Sequence, residues 1–125
     1  MITLIEVLLI HEHAIKTHGG ANGTRDQNML ESAINRPFQE FGGEELYPTA
    51  YEKAAAIGES IIMNHPFVDG NKRTGYILME TVLRMHNFKI NASNDSLYQF
   101  IISISTGELR FEQIVEWLQN NTQKL

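Results

Sequence analysis

The stretch His65-Pro66-Phe67-Val68-Asp69-Gly70-Asn71-Lys72-Arg73-Thr74 brings a histidine, a carboxylate, a turn glycine and two cations together within ten positions. The run before it, residues 51–64, has the composition of a helix, and Pro66 should end that helix because proline disfavours helical geometry in its predecessor. After it, residues 74–86 again carry apolar side chains at helical spacing. The stretch is therefore predicted to be a tight loop between two helices.

The residues of this loop are typical of an anion site. Gly70 permits a positive φ, and Asn71 is predicted to cap the helix that follows. Free backbone N–H groups at a helix N-terminus, together with the positive end of the helix dipole, attract anions. Lys72 and Arg73 lie in the same first turn, where a cation is unfavourable by about 0.3–1 kcal/mol. A bound phosphate would relieve that conflict.

Two further side chains extend this interpretation to a reaction. Asp69 would repel a phosphate unless a cation joins them, and Mg²⁺ commonly bridges a carboxylate and substrate phosphates. His65 is positioned to accept a proton from an incoming hydroxyl group. Each residue alone is more often structural, and Phe67 is expected to be a core residue that anchors the loop. The combination favours transfer of a phosphorus-containing group.

The same ten residues resemble the signature of the Fic/Doc family, His-x-Phe-x-Asp/Glu-Gly-Asn-Gly/Lys-Arg, and are most similar to the Doc (death-on-curing) branch of toxins. The adenylylating Fic branch usually has glycine at the position of Lys72 and a second arginine at the position of Tyr76. The resemblance covers essentially the whole chain, through residues 19–26, 30–33, 47–48, 54–55 and 106–108.

The resemblance implies an enzyme that uses ATP with Mg²⁺ and modifies a hydroxyl group of another protein. It implies three catalytic residues: His65 as the base, Asp69 as the metal ligand, and Arg73 as the cation that neutralises developing charge. It also implies a set of nucleotide-binding residues, namely Phe67, Gly70, Asn71, Lys72 and Arg73.

Lys72 bears on which group is transferred. In the family, glycine at this position leaves room for the β-phosphate, so that AMP is transferred. A lysine fills that room, and Doc-like members hold ATP reversed, so that the γ-phosphoryl group is transferred. The resemblance thus implies a protein threonine kinase with translation elongation factor Tu as its target. A nucleotidyltransferase of the same fold is the alternative, and a helical binding module with vestigial catalysis is a third possibility.

Two features bear on partners. The inhibitory motif of many Fic proteins, Ser/Thr-x-x-x-Glu-Gly/Asn, is absent from this sequence, which fits a toxin restrained in trans by an antitoxin with a disordered tail. Residues 37–48 lack a helical period and carry turn residues, which predicts a hairpin or loop. In the family this region resembles a flap that pairs with an extended segment of the target, with Phe41, Gly42, Gly43 and Leu46 as the candidate contacts.

Composition sets the broad class of the protein. The 125 residues are expected to form one domain, residues 1–125, with a composition that is 42% hydrophobic and 20% charged. A formal charge of −5 argues against direct binding of nucleic acid, and the absence of cysteine excludes disulfides and thiolate chemistry. Residues 2–10 are apolar but contain Glu6, have no basic leader and are too short to span a membrane. A cytoplasmic protein without a membrane anchor is expected.

The fold is predicted to be all-α, a bundle of about six helices with a small hairpin before the third. Helix one should begin at a capping box of Thr3 and Glu6, end at residues 19–20 and bury Ile5, Leu8 and Leu9. Its histidines, at positions 11, 13 and 18, do not share one face as three metal ligands.

The remaining helices are predicted from caps and periodicity. Asp26 should cap a helix that runs to residue 35, and Arg25 and Asp26 are expected to form an ion pair. Thr49 should cap the third helix, which buries Ala54, Ile57, Ile61 and Ile62. The fourth ends near residue 87, residues 88–92 form an extended link, and two helices follow over 95–105 and 111–121. Core-filling roles are expected for Met63, Met79 and Met85.

Overall fold

The structure, a computed structural model, describes residues 1–125 and is mostly helical. Six α-helices, one 3₁₀ turn and four short strands follow one another along the chain. The helices are α1 (Leu4–His18), α2 (Gln27–Asn35), α3 (Ala50–Asn64), α4 (Asn71–Met85), α5 (Asn94–Ser105) and α6 (Phe111–Asn120). The 3₁₀ turn is Arg36–Phe38, and the strands are β1 (Glu40–Phe41), β2 (Glu44–Glu45), β3 (Phe88–Ile90) and β4 (Thr122–Lys124).

The predicted caps begin the first three helices. Thr3 and Glu6 form a complete capping box on α1, because each side chain accepts a hydrogen bond from the backbone N–H of the other residue. Thr49 and Glu52 repeat this arrangement on α3. The side chain of Asp26 accepts from the N–H of Met29 and so caps α2. These local signals therefore set the helix starts as the sequence predicts.

Helix α3 lies at the centre of the molecule. Its predicted stripe, Ala54, Ile57, Ile61 and Ile62, is fully buried in one core to which all six helices contribute. Its most extensive contacts are with α4, on the other side of the predicted loop. Gly58 of α3 faces Met79, and Gly75 of α4 faces Ile62, so the two helix backbones approach each other closely at both points.

The prediction for the buried face of α1 is wrong. Ile5 and Leu9 are 70% and 60% exposed, and Leu8 is also exposed. The helix instead buries Val7, His11, Ala14 and Ile15. Residues 4–10 are apolar around most of the helix, so their pattern does not determine which face turns inward.

One other expectation about the core is wrong, and one predicted segment has more structure than expected. Met85 is 44% exposed at the end of α4, so it is not a core filler, whereas Met79 is fully buried as predicted. Strand β3, predicted only as an extended link, pairs antiparallel with β4, with Phe88 opposite Lys124 and Ile90 opposite Thr122. The sequence near residue 122 has no alternating pattern that would have indicated a strand.

The hairpin predicted before α3 is present. Strands β1 and β2 are antiparallel, with Phe41 opposite Glu44. Gly42 and Gly43 form the turn with φ of 60° and 83°, and a positive φ at both central residues is the requirement of the type I′ turn, which is common in hairpins. Phe41 is 80% exposed at the end of the hairpin, and Leu46 is also exposed. No helix in the structure has both the length and the apolar composition needed to cross a membrane.

Candidate active site

A cavity of about 570 Å³ lies where α1, α4 and α5 meet the loop between α3 and α4 (residues 65–70, here the α3–α4 loop). Of the site residues predicted from the sequence, those that line it are His65, Asp69, Gly70, Asn71, Lys72 and Arg73. Phe67 does not line it, and neither do the hairpin residues Phe41, Gly42, Gly43 and Leu46. The structure therefore brings the polar residues of the motif to one cavity and leaves the hairpin outside its lining.

One ring nitrogen of His65 forms a hydrogen bond, and the other has no partner. Its Nδ1 lies 3.0 Å from the backbone oxygen of Met63, and because a carbonyl can only accept, Nδ1 carries the proton. In the neutral imidazole Nε2 then has a free lone pair. The residue is exposed and follows α3 in a left-handed conformation, with φ 51° and ψ 58°. The side chain thus offers a proton acceptor at the cavity.

Asp69 is an exposed carboxylate that two backbone N–H groups hold in place. The N–H of Ala21 donates to Oδ2 at 3.2 Å, and the N–H of Gly70 donates to Oδ1 at 2.9 Å. These hydrogen bonds, that of Ala21 first, lower the pKa of the Asp69 carboxyl below its usual value. The group is therefore ionised throughout the neutral range.

The start of α4 differs from the predicted cap. Gly70, with φ 75°, is the N-cap, and no side chain caps the helix. The expected cap, Asn71, is instead the first helical residue and is buried. Its Oδ1 accepts from the N–H of Phe67 at 3.0 Å, and its Nδ2 donates to the oxygen of Phe67 at 3.1 Å. Asn71 therefore holds the loop closed, and the first turn of α4 lacks a side-chain partner for its N–H groups.

Phe67 and His11 hold the α3–α4 loop in place. Phe67 is fully buried, as the sequence predicts for an anchor, and its ring stacks on that of His11 with 3.8 Å between centroids. His11 Nε2 lies 2.8 Å from the backbone oxygen of Asp69 and must be the donor, since that oxygen only accepts. The stacking of Phe67 against His11, with Asn71 bound to its backbone, gives it a supporting position rather than one inside the cavity.

Lys72 and Arg73 are exposed at the cavity and have no carboxylate partner. None of the five ion pairs of the structure includes either residue. Arg73 Nη1 lies 3.1 Å from Nε2 of His18, which also lines the cavity at the end of α1. Two cations therefore remain available beside the uncapped start of α4, an arrangement suited to a phosphate group.

The connection between α1 and α2 (residues 19–26, here the α1–α2 connection) runs along the α3–α4 loop. Val68 N–H donates to the oxygen of Gly23, and the N–H groups of Arg25 and Asp26 both donate to the oxygen of Pro66. The expected ion pair between Arg25 and Asp26 is absent. The guanidinium of Arg25 instead donates to two backbone oxygens at the end of α3.

Helix α5 forms an apolar wall of the cavity that the sequence analysis missed. Asn94, Leu97, Tyr98 and Ile101 line the cavity at the i, i+3, i+4, i+7 spacing of one helix face, and Tyr98 is well exposed. Tyr76 of α4 also lines the cavity, and burial raises the pKa of its phenol, so that its hydroxyl remains a hydrogen-bond donor. The helical spacing of the α5 residues and the exposed Tyr98 could have indicated this wall from the sequence. No sequence pattern indicated that His18 lies at the cavity.

The polar side and the apolar wall together suit a ligand with a phosphate end and a flat apolar end. The sequence model of the Fic/DOC family matches residues 1–83 of this chain. A protein named Toxin Doc in Mycolicibacterium smegmatis is 38% identical over 77 residues, which are 62% of this chain but only 59% of that protein. The protein named Protein kinase doc in Escherichia phage P1 is 25% identical over 114 residues, 91% of this chain and 89% of its own length. The chain belongs to the Fic/DOC family.

Proposed function

We propose that this protein transfers the γ-phosphoryl group of ATP to a threonine hydroxyl of a target protein and thereby acts as a toxin. One observation carries the proposal. An imidazole nitrogen free to accept a proton, an ionised carboxylate and two cations without a carboxylate partner line the same cavity, beside a helix start that no side chain caps. The names of the relatives in M. smegmatis and phage P1, a toxin and a protein kinase, support the same activity.

In the proposed reaction His65 and Arg73 act on the two ends of the transfer. His65 Nε2 takes the proton of the threonine hydroxyl while its oxygen forms a bond to the γ-phosphorus. The bond from that phosphorus to the oxygen shared with the β-phosphate breaks, and ADP leaves. Arg73 neutralises negative charge on the phosphoryl group while it is transferred. Lys72, Gly70 and the first turn of α4 bind the two phosphates that remain in ADP.

Asp69 is the residue proposed to hold Mg²⁺. Its two oxygens each accept one backbone N–H, which leaves lone pairs for a cation, and the carboxylate faces the cavity. No group of three or more acidic, histidine or cysteine side chains is arranged to hold a metal ion, so Asp69 and the phosphates of ATP would share it. The ion would supply positive charge to the phosphates.

Lys72 supports γ-phosphoryl transfer over transfer of AMP. In the family that the ten-residue motif resembles, a glycine at this position leaves space for a further phosphate, and we propose that the side chain of Lys72 fills that space here. Adenylyl transfer by the same fold is the alternative, and its acceptor would be the same hydroxyl. The proposal extends to partners: translation elongation factor Tu as the target in the cytoplasm, an antitoxin in trans, and the exposed β1–β2 hairpin as the flap that pairs with the target segment.

ATP labelled at either the α- or the γ-phosphate tests the proposal. Each form is incubated with Mg²⁺, this protein and elongation factor Tu, with His65→Ala as the inactive control. Label on elongation factor Tu from the γ-phosphate alone is the expected result. Label from the α-phosphate would establish the adenylyltransferase alternative and overturn the interpretation of Lys72. Label from neither, with equal results for His65→Ala, would refute ATP-dependent modification of this target.

A further inference from the structure

Helix α3 ends without the hydrogen bonds that usually accompany a left-handed residue. His65 adopts the conformation in which a glycine commonly ends a helix. In that motif, the N–H groups of this residue and the next one bond back to carbonyls of the last turn. The next residue here is Pro66, which has no N–H. Carbonyl groups at the end of α3 therefore need a donor from elsewhere.

Arg25 supplies that donor from the α1–α2 connection. Its Nε donates to the backbone oxygen of His65 at 2.7 Å, and its Nη2 donates to that of Asn64 at 2.6 Å. These two oxygens belong to the peptide planes on either side of the His65 Cα. Because φ and ψ of His65 are the rotations of those planes about the Cα, one rigid guanidinium restrains both angles. It thereby sets the direction in which the imidazole leaves the backbone.

The position of Arg25 is itself fixed against the loop. Its backbone N–H donates to the oxygen of Pro66 at 2.7 Å, and Thr24 forms a β-bridge with Phe67. Arg25 takes part in no ion pair, and the carboxylate of the neighbouring Asp26 caps α2. The only other side-chain hydrogen bond of Arg25 is a long one of 3.6 Å from Nη2 to the sulfur of Met29. The strong donors of the guanidinium are therefore directed at the end of α3.

We infer that Arg25 is a positioning residue that aims the imidazole of His65 into the cavity. The inference about catalysis rests on the proposed function, since it takes His65 as the base. A helix cap alone would affect the stability of the fold. A positioning residue also affects the rate of transfer and the hydrogen-bonding state of the His65 ring. Lysine at this position keeps the charge but cannot hold two oxygens in a fixed planar fork.

The kinetic test compares Arg25→Ala and Arg25→Lys with Asp26→Ala as the matched control. Asp26→Ala removes the cap of the same connection and lowers stability without removing any hydrogen bond of the Arg25 side chain. Both Arg25 variants are expected to lose about 10-fold to 100-fold in kcat, with little change in the KM for ATP, because misplacing a reacting group by about 1 Å costs rates of this order. Guanidinium ion added to Arg25→Ala should restore part of kcat. A normal kcat in both Arg25 variants, or an equal loss in Asp26→Ala, would overturn the inference.

A second measurement does not depend on transfer activity. Nitrogen-15 NMR of the imidazole, at a pH where the ring is neutral, reports which ring nitrogen of His65 carries the proton. The wild-type ring should be protonated at Nδ1, and the Arg25→Ala ring should average between the two tautomers as it leaves the Met63 oxygen. An unchanged tautomer in Arg25→Ala would overturn the inference. A wild-type protein that transfers no phosphate would refute the proposed function, and the NMR comparison would still decide the role of Arg25.

Discussion

His65 combines a backbone conformation that most residues avoid with a ring that is fixed at one nitrogen. A non-glycine residue in the left-handed region costs roughly 1 kcal/mol or more, and such residues persist where the surrounding structure holds them. The hydrogen bonds of Arg25 and the ring contact with Met63 do so here. At this residue the sequence indicates a candidate base, but it did not predict the backbone conformation that presents the imidazole.

His65→Asn should greatly slow transfer while preserving the fold. Asparagine tolerates a positive φ, so the end of α3 can keep its conformation, but its amide cannot accept the proton. Losing a positioned base is expected to lower the rate by about 10²–10⁴. The matched control is His86→Asn, since His86 Nδ1 is likewise 3.0 Å from a backbone oxygen but lies outside the cavity. Near-normal turnover by His65→Asn would remove the base from the mechanism.

At the scale of elements, the α1–α2 connection shows where sequence patterns stop being informative. Gly19 and Gly20 predicted only the end of α1, and Asp26 only the start of α2, and both predictions are correct. The pairing of residues 23–26 with residues 66–68 joins segments about forty positions apart and has no periodicity. The sequence therefore predicts the helices on both sides of the α1–α2 connection. The contacts of this connection with the α3–α4 loop form only in the tertiary structure.

Gly20→Ala should disturb the Asp69 carboxylate. Gly20 has φ 114°, and a Cβ there would lie 2.8 Å from Asp69 Oδ2, so the carboxylate must move and lose its bond from Ala21. Because that bond is the main cause of the lowered pKa of Asp69, the variant should titrate closer to an ordinary aspartate. The carboxylate would then take up a proton at a higher pH, and whatever stability its ionised form gives would be lost earlier as the pH falls.

Carbon-13 NMR of the side-chain carboxyl groups measures this titration directly. Gly19→Ala is the matched control, because Gly19 also has a positive φ of 84° but a Cβ there meets no atom within 4 Å. The control should therefore leave the titration of Asp69 as in the wild type. Equal titration curves for Gly20→Ala and the wild type would contradict the role given to the bond from Ala21.

At the scale of the whole molecule, the fold could be predicted from capping residues and from helices with a single apolar face. Helix α3 has the predicted cap and buries the predicted stripe, but residues 53–62 are buried on all sides because the helix lies at the centre of the molecule. The buried face of helix α1 could not be predicted in this way. Ile5, Leu8 and Leu9 compete with Val7 for the interior, and the face that is buried contains the polar His11. His11, on the inward face of α1, also donates a hydrogen bond to the α3–α4 loop through the Asp69 oxygen. That contact arises only when the helices assemble.

Helices α3 and α4 pack closely against each other, and the α3–α4 loop joins them. A substitution that forces the two helices apart should therefore lower the free energy of unfolding. A Cβ at Gly75 would lie 2.5 Å from Cγ1 of Ile62, a stiff, fully buried side chain. Overpacking of this kind costs about 1–3 kcal/mol, and the better helix propensity of alanine returns about 1 kcal/mol. Gly75→Ala should therefore lower the free energy of unfolding by up to about 2 kcal/mol in urea titrations. Gly58→Ala is the comparison: a Cβ there meets Met79, which is equally buried but unbranched and has more rotatable bonds than Ile62, so we expect its side chain to adjust more readily. If Gly58→Ala proves the more damaging of the two, the stiffness of Ile62 is not what limits the approach of the helices.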